Sequence, residues 1–215
     1  ATYYYELFAQ MPYLFLNGEK GSGKSTLDKA LYLLCFNAKL SVDISDASLF
    51  RVCSFEGGTL ILDEIEKFTS RAKTTDSTMA SVLKAGYSKS GKVYRYNSDK
   101  NASEGFDIYT PKIISNIFGL DDVIGDRCIE IRTYRYDMNS DIDLDLEDPK
   151  FYESERLGEI RELTSKCCLS ALKHFQLMHQ VYTDRGTKMH TTSPRTAQVL
   201  KPLLAVAKFV DLFGI

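Results

Sequence analysis

The stretch LFLNGEKGSGKSTLDKA, residues 14–30, decides the fold. A short apolar run ends in glycines, and a helical pattern then opens with Lys24, Ser25 and Thr26. The eight residues Gly18, Glu19, Lys20, Gly21, Ser22, Gly23, Lys24 and Ser25 fit the spacing G-x-x-x-x-G-K-[ST]. A strand before the loop and a helix after it form the structural context that this spacing requires of a phosphate-binding loop.

The residue types in this loop suit phosphate binding. Glycines allow successive backbone N–H groups to face inward, and the N-terminus of the following helix adds partial positive charge. We therefore predict that residues 18–26 bind a nucleotide, with Lys24 at the terminal phosphates and the Ser25 hydroxyl as a Mg²⁺ ligand. The alternative is a glycine-rich turn in which Lys24 is simply solvated.

An acidic pair follows the apolar run TLILD, residues 59–63. An uninterrupted apolar run is typical of a strand buried on both faces, and ligands of open α/β sheets lie at the carboxyl ends of strands. We predict that Asp63 binds Mg²⁺ and that Glu64 orients and polarises the attacking water. The alternative is a solvated acidic pair at a strand end. The presence of both carboxylates favours hydrolysis over nucleotide binding alone.

Apolar runs alternate with helical patterns along the first part of the chain. Strands are predicted at 13–17, 39–44, 59–63, 112–115 and 128–132, and helices at 25–36, 45–53 and 75–87. This alternation predicts an α/β fold with a parallel sheet covered by helices on both faces. Two further strands, 92–96 and 106–109, form a predicted hairpin at about 92–110 with its tip at 98–105.

Composition changes after residue 136. The run DMNSDIDLDLED, residues 137–148, holds six acidic residues and no basic ones, and it is read as a solvated connection. We therefore divide the chain into a core at 1–136, an acidic linker at 137–151 and a helical region at 152–215. Helices are predicted at 152–182 and 194–213, and Pro202 is expected to kink or split the second one.

Bulk properties exclude some classes of protein. The net charge is −2, so contact with a nucleic acid has to come from a local patch. The five cysteines form no C-x-x-C pair and are read as reduced core residues. No apolar run reaches the roughly 18 residues of a membrane span. We expect a cytoplasmic protein without membrane contact.

The order of these motifs resembles that of AAA+ ATPases. In PKIISN, Asn116 resembles the sensor-1 residue, which positions the attacking water near the terminal phosphate. In GDRCIEI, Arg127 resembles the arginine finger that completes the site of a neighbouring subunit. The alternatives are a strand-end turn cap for Asn116, and for Arg127 a surface salt bridge with Asp122 or Asp126.

A third likeness lies in TTSPRTAQVLKPLLAVAKFVD, residues 191–211. Ser193 and Pro194 suit a helix start, which places Arg195 in the first turn, where a cation opposes the helix dipole. An anion nearby would compensate for this cost. Arg195 resembles the sensor-2 arginine of the lid helix in minichromosome maintenance (MCM) helicases, which faces ATP phosphate. In MCM-like rings this arginine acts across the subunit interface, but Arg195 could act from either side. The alternative is an exposed arginine.

The predicted hairpin precedes the Asn116 strand, as the pre-sensor-1 hairpin does in MCM-like and superfamily-three helicases. Residues 84–100 carry five basic residues and one acid, interleaved with tyrosines. We predict that Lys92, Arg95 and Lys100 contact single-stranded DNA, with Lys100 at the tip. Base stacking by the tyrosines, packing of the tyrosines on one face, and a solvated hairpin in a signalling ATPase all remain open alternatives.

The resemblance extends over about 13–211 and is strongest to MCM-like and superfamily-three-like replicative helicases of phages, plasmids and other mobile elements. It implies a P-loop NTPase (AAA+) αβα sandwich with a small C-terminal helical lid. It also implies ATP and Mg²⁺ as cofactors, a homo-oligomeric ring (most often a hexamer), single-stranded DNA, and primase or other replication proteins as partners. Rival functions are an AAA+ remodelling, loading or defence ATPase and a nucleotide-gated assembly scaffold. No residue identifies the base, so ATP comes from the resemblance alone.

Overall fold

The computed structural model describes residues 1–42, 44–63, 78–135, 146, 149–184 and 193–213. Its five-stranded sheet has the order β2-β3-β6-β1-β7, and every neighbouring pair is parallel. The strands of this sheet are β1 (Tyr13–Gly18), β2 (Lys39–Ser41), β3 (Leu60–Leu62), β6 (Lys112–Asn116) and β7 (Cys128–Thr133). The remaining pair, β4 (Lys92–Asn97) and β5 (Ala102–Asp107), forms an antiparallel hairpin.

The helices fill the connections between strands and the C-terminal part. They are α1 (Lys24–Leu34), α2 (Asp46–Arg51), α3 (Thr78–Ala85), α4 (Asp122–Gly125), α5 (Pro149–Tyr152), α6 (Glu155–Lys173), α7 (Phe175–Thr183) and α8 (Pro194–Phe213). A 3₁₀ helix (Thr2–Leu7) precedes β1, and one π-helical segment (Val52–Glu56) follows α2.

Side chains on alternate strand positions bury the sheet on both faces. On one face, Leu16, Ile61 and Ile113 pack against Leu27 and Leu31 of α1. The other face packs against helices α2, α3 and α4 through a larger cluster, which includes Phe15, Leu62, Ile114, Leu49, Leu83 and Ile124. Burial on both faces is the reason these strands read as continuous apolar runs. The predicted αβα sandwich with a parallel central sheet and C-terminal helices is confirmed.

Several predicted boundaries are wrong. The strand predicted at 39–44 ends at Ser41, and the hairpin tip is only residues 98–101, because Ala102–Asp107 pairs with β4. The predicted helix at 152–182 is broken at His174, whose backbone (φ −111°, ψ 17°) leaves the helical range. Of the expected kink or split at Pro202, the split is wrong, since α8 continues through Pro202. Burial of Val199, Ala205 and Phe209 on either side of the proline offsets the backbone hydrogen bond that it removes.

The C-terminal helices have their own apolar cluster. Ala171, Met178, Tyr182, Ala205 and Phe209 pack together there, joined from the start of the chain by Tyr4, Tyr5, Phe8 and Met11. The first residues of the chain therefore bury their aromatic side chains against the helical region. None of the helices within the described ranges is long and apolar enough to span a bilayer.

Candidate functional site

The loop between β1 and α1 is shaped by glycines. Gly21 (φ 78°) and Gly23 (φ 84°) adopt the left-handed conformation that side chains disfavour, and Gly23 is the residue from which α1 begins. Gly18 lies so close to β7 that an added Cβ would fall 2.2 Å from the Thr133 hydroxyl oxygen. A 2.7 Å hydrogen bond between the hydroxyl groups of Ser22 and Thr133 also holds the loop against β7. The last strand of the sheet therefore supports the loop from behind.

A cavity of about 540 Å³ opens in front of this loop. Its volume lies within the range of small-molecule and cofactor sites. The side formed by the loop and the first turn of α1 consists of Lys20, Gly21, Gly23, Lys24, Ser25 and Thr26. The opposite side consists of strand-end residues, namely Asp63, Ser115, Asn116 and Ile117. Gly18 and Glu19 line an adjoining cleft, and Ser22 is turned to β7.

The two predicted magnesium ligands meet directly. The Ser25 hydroxyl donates a 3.1 Å hydrogen bond to Oδ2 of Asp63 at the end of β3. Parallel strands bring their carboxyl ends to one edge of a sheet, which is why residues so distant in sequence converge. A hydroxyl and a carboxylate are the hard oxygen donors that Mg²⁺ prefers, so the residues present fit the ion. Glu64, the predicted water-orienting residue, lies outside the described residues.

The Lys24 side chain folds back over the loop. Its ammonium donates to the carbonyl oxygens of Gly18 and Glu19, at 2.5 and 2.8 Å. Carbonyls are weaker partners for an ammonium than a charged phosphate oxygen is. A phosphate entering the cavity would therefore compete well for this lysine.

Two buried polar side chains at or beneath the cavity escaped the sequence analysis. Asp28 on α1 is fully buried, and among the described residues neither its carboxylate oxygens nor the Ser115 hydroxyl has a hydrogen-bond partner. Burial raises the pKa of Asp28 to about 6; the nearby Ser115 hydroxyl and the charge of Lys24 lower it, and Asp63 raises it. An acid between Leu27 and Leu31, which face the sheet, was the signal that could have identified it.

Asn116 is used locally as a strand-end cap. Its side-chain oxygen accepts hydrogen bonds from the backbone N–H groups of Ile117 (2.6 Å) and Phe118 (3.0 Å). Its amide donates to the Gly119 carbonyl at 3.0 Å. The turn-cap alternative thus describes its contacts, although the residue also lines the cavity. A sensor role stays a prediction.

The two predicted arginines lie away from this cavity. The Arg127 carbonyl accepts from the Tyr13 N–H at the amino end of β1, whereas the loop leaves the carboxyl end of that strand. The six residues of β7 separate Arg127 from the loop by roughly 20 Å. Arg127 donates to the Val123 carbonyl. Arg195 donates to Gln198, and both guanidinium groups lie against the ring of Tyr87.

The hairpin neutralises much of its own charge. Lys92 pairs with Asp107 at 3.2 Å, and Lys100 at the tip pairs with Glu104 at 2.6 Å. Arg95 faces inward, with its guanidinium 5.9 Å from the ring centre of Phe50. Residues 92–107 hold three basic and three acidic side chains, so the basic run read from residues 84–100 does not make a basic hairpin.

The outer face of the hairpin carries aromatic side chains instead. Tyr94 and Tyr96 point the same way and are 64% and 65% exposed. The Tyr94 ring lies across Gly105 on the partner strand, and the Tyr96 hydroxyl donates to Asn101 in the turn. These contacts hold both rings in place on a solvent-facing surface.

No protein-family model and no curated protein sequence matches the chain. Solved structures of JCV helicase resemble it: one with a bound acetamide compound (16% identity, TM-score 0.41), one described as the X-ray structure (14%, 0.39) and one with a bound inhibitor (16%, 0.37). The matches cover 95–97% of this chain and 52–55% of theirs, so the chain spans about half the length of those structures. At TM-scores below 0.5 these likenesses carry no functional weight.

Proposed function

We propose that the chain hydrolyses ATP with Mg²⁺ as an AAA+ motor. The observation that carries this proposal is the 3.1 Å contact between Ser25 and Asp63 beside Lys24, at the mouth of a nucleotide-sized cavity. The loop N–H groups and Lys24 bind the phosphates, and Ser25 and Asp63 hold the ion. When bound, Mg²⁺ offsets charge that develops on the phosphate oxygens. Glu64 orients the water, and Asn116 lies at the same edge.

We propose further that the active form is a homo-oligomeric ring, with a hexamer as the expected size. Arg127 lies at the sheet edge opposite the loop, too far to serve the cavity of its own chain. A neighbouring copy could present it to a bound nucleotide, as the resemblance to AAA+ rings implies, and Arg195 would act across the same interface. The division into a core (1–136), a linker (137–151) and a lid (152–215) is part of this proposal, with Arg195 at the start of the lid helix α8.

We propose that this motor binds single-stranded DNA and moves along it. The exposed rings of Tyr94 and Tyr96 are suited to base stacking, and Lys100 at the tip to a phosphate contact. Lys92 and Arg95 are secondary in this scheme because both are engaged within the hairpin. The role that fits best is a replicative DNA helicase or translocase of a phage or other mobile element, acting beside a primase or other replication proteins.

The test is whether single-stranded DNA accelerates Mg²⁺-dependent ATP hydrolysis by the assembled oligomer. We expect acceleration, and we expect Arg127→Ala and Glu64→Gln subunits to be inactive alone but partly active when mixed. Recovery on mixing requires that Arg127 of one subunit serves the cavity of another. If mixed assemblies regain no activity, the proposal of a site shared between subunits is wrong. If the wild-type oligomer shows no ATP turnover at all, the proposal of an ATP-driven motor is wrong.

A second candidate function is an ATPase that remodels or loads proteins. The equal numbers of acidic and basic side chains on the hairpin favour it, since a strand-gripping surface is normally positive. Hydrolysis that is unchanged by DNA, together with no binding of single strands by the hairpin, would support this candidate. ATP-dependent assembly without turnover would instead support a nucleotide-gated scaffold.

A further inference from the structure

Tyr87 is held in a fixed position by contacts from several separate parts of the chain. It follows α3, only 3% of its surface is exposed, and its carbonyl accepts a 3.0 Å hydrogen bond from the Met11 N–H. Its ring meets that of Tyr13 edge to face, with centres 6.4 Å apart and planes at 89°. A ring held by backbone and aromatic contacts from separate elements has little freedom to move.

Two arginines from distant parts of the chain converge on this ring. The guanidinium carbon of Arg195, in the first turn of α8, lies 5.5 Å from the ring centre, and that of Arg127, just before β7, lies 6.0 Å from it. Both distances fall within the range of cation–π attraction. Burial raises the pKa of Tyr87, whereas the charges of Arg195 and then Arg127 lower it; the Tyr87 hydroxyl faces Arg195 without a well-formed hydrogen bond.

Neither guanidinium group has a carboxylate at ion-pair distance within the described ranges. The Nε atom of Arg127 is buried, and no hydrogen-bond partner for it exists in the same ranges. Two like charges against one ring repel each other, so the arrangement is favourable only if something offsets the repulsion. The electron-rich ring does so in part, and a bound anion would complete it.

We infer that Tyr87 is a positioning residue that holds Arg127 and Arg195 as one cationic unit for an anion. This inference deepens the proposed function, on which it rests, because the anion is then the terminal phosphate of a nucleotide bound to the neighbouring subunit. Because the ring is fixed, it holds Arg195 of the lid helix and Arg127 at the finger position in a defined position relative to each other.

The activity test compares Tyr87→Leu with Tyr87→Phe in the assembled oligomer. We expect Tyr87→Leu to lower kcat about tenfold at unchanged KM, because displaced cations stabilise the transition state poorly, and Tyr87→Phe to retain activity. Tyr182→Leu is the matched control, since Tyr182 is also buried and has Lys201 4.3 Å from its ring centre within the lid. Tyr182→Leu should retain activity. An equal loss of kcat in Tyr87→Leu and Tyr182→Leu would show a merely structural role and overturn the inference.

A graded series protects the test against misfolding of the leucine variant. Phenylalanines with increasing ring fluorination at position 87 keep the shape of the side chain and progressively weaken its attraction for cations. We expect kcat to fall stepwise along the series, and a flat response would overturn the inference.

A readout independent of hydrolysis separates this inference from the proposed function. In ¹⁵N spectra of the arginine Nε–H groups, Arg195→Ala should shift the Arg127 signal in the wild-type background but not in Tyr87→Leu. If the wild-type protein hydrolyses no ATP, the proposed function fails while this spectroscopic result still decides the coupling. An Arg127 signal that ignores Arg195→Ala would refute the coupling whatever the enzyme activity.

Discussion

The phosphate-binding loop and the β4–β5 hairpin were both predicted from short stretches of sequence, yet they differ in how well the sequence describes them. Around the loop, Lys24, Ser25 and Asp63, all named from the sequence, line one cavity. On the hairpin, Lys92 and Lys100 form ion pairs with Asp107 and Glu104, which both belong to β5. The loop depends on backbone geometry, which the spacing of its own residues in the sequence determines. The charge of the hairpin depends also on acidic residues that lie outside the basic run at 84–100.

Lys24→Ala should have the largest effect, and it tests whether the loop binds the phosphates of a nucleotide. We expect kcat for ATP hydrolysis to fall by at least about 100-fold, because a donor at the terminal phosphates is lost from a preorganised site. Lys29→Ala, one turn further along α1, is the control and should retain activity. Steady-state hydrolysis with Mg²⁺ measures both variants. Retained activity in Lys24→Ala would reduce the loop to a glycine-rich turn.

Asp28→Asn tests whether charge beneath the loop is shielded from water, unlike charge on the hairpin. The native pKa of about 6 exceeds the ordinary 3.8, so the native state binds more protons than the unfolded state between those values. The free energy of unfolding should therefore fall as pH rises from about 4 to 6, by up to about 3 kcal/mol, and stay low above pH 6.

The asparagine variant should lack this loss and be the more stable protein at pH 7. Urea unfolding from pH 4 to 7.5, without nucleotide or Mg²⁺, measures the effect. Asp99→Asn in the exposed hairpin turn is the control and should run parallel to the wild type. Parallel curves for Asp28→Asn as well would mean that water reaches the carboxylate.

Tyr96→Ala sharpens the hairpin side of the comparison. If the exposed rings stack on bases, single-stranded DNA affinity should fall by about 1–3 kcal/mol, while Tyr96→Phe keeps the ring and the affinity. Tyr152→Ala removes a similarly exposed tyrosine from α5 and is the control. Fluorescence anisotropy with a labelled oligonucleotide measures all three. Equal affinities would leave the hairpin without a nucleic-acid contact of this kind.

Glu104→Gln should have the smallest effect. It releases Lys100 from its ion pair, so DNA affinity should rise, by less than about fivefold, with a steeper dependence on salt. Glu162→Gln is a matched control, because Lys166 has the same 2.6 Å i,i+4 pair and the same 69% exposure on α6. A rise with Glu162→Gln of the same size would show that only overall charge matters.

The sequence by itself determined the α/β class, the glycine-containing loop between β1 and α1, and the apolar run of β3 that precedes Asp63. Each of these follows from neighbouring residues: glycines that permit positive φ, the helical spacing of leucines, and an apolar run that only a doubly covered strand can satisfy.

The tertiary structure alone decided which distant side chains meet. Sheet order and register place Arg127 opposite the loop, bring it and Arg195 onto Tyr87, and set acids of the hairpin beside its lysines. The same packing buries Asp28 beneath the cavity and keeps α8 intact through Pro202. Such contacts join residues far apart in the chain, so no local pattern records them, and only the balance of burial and charge in the folded molecule selects them.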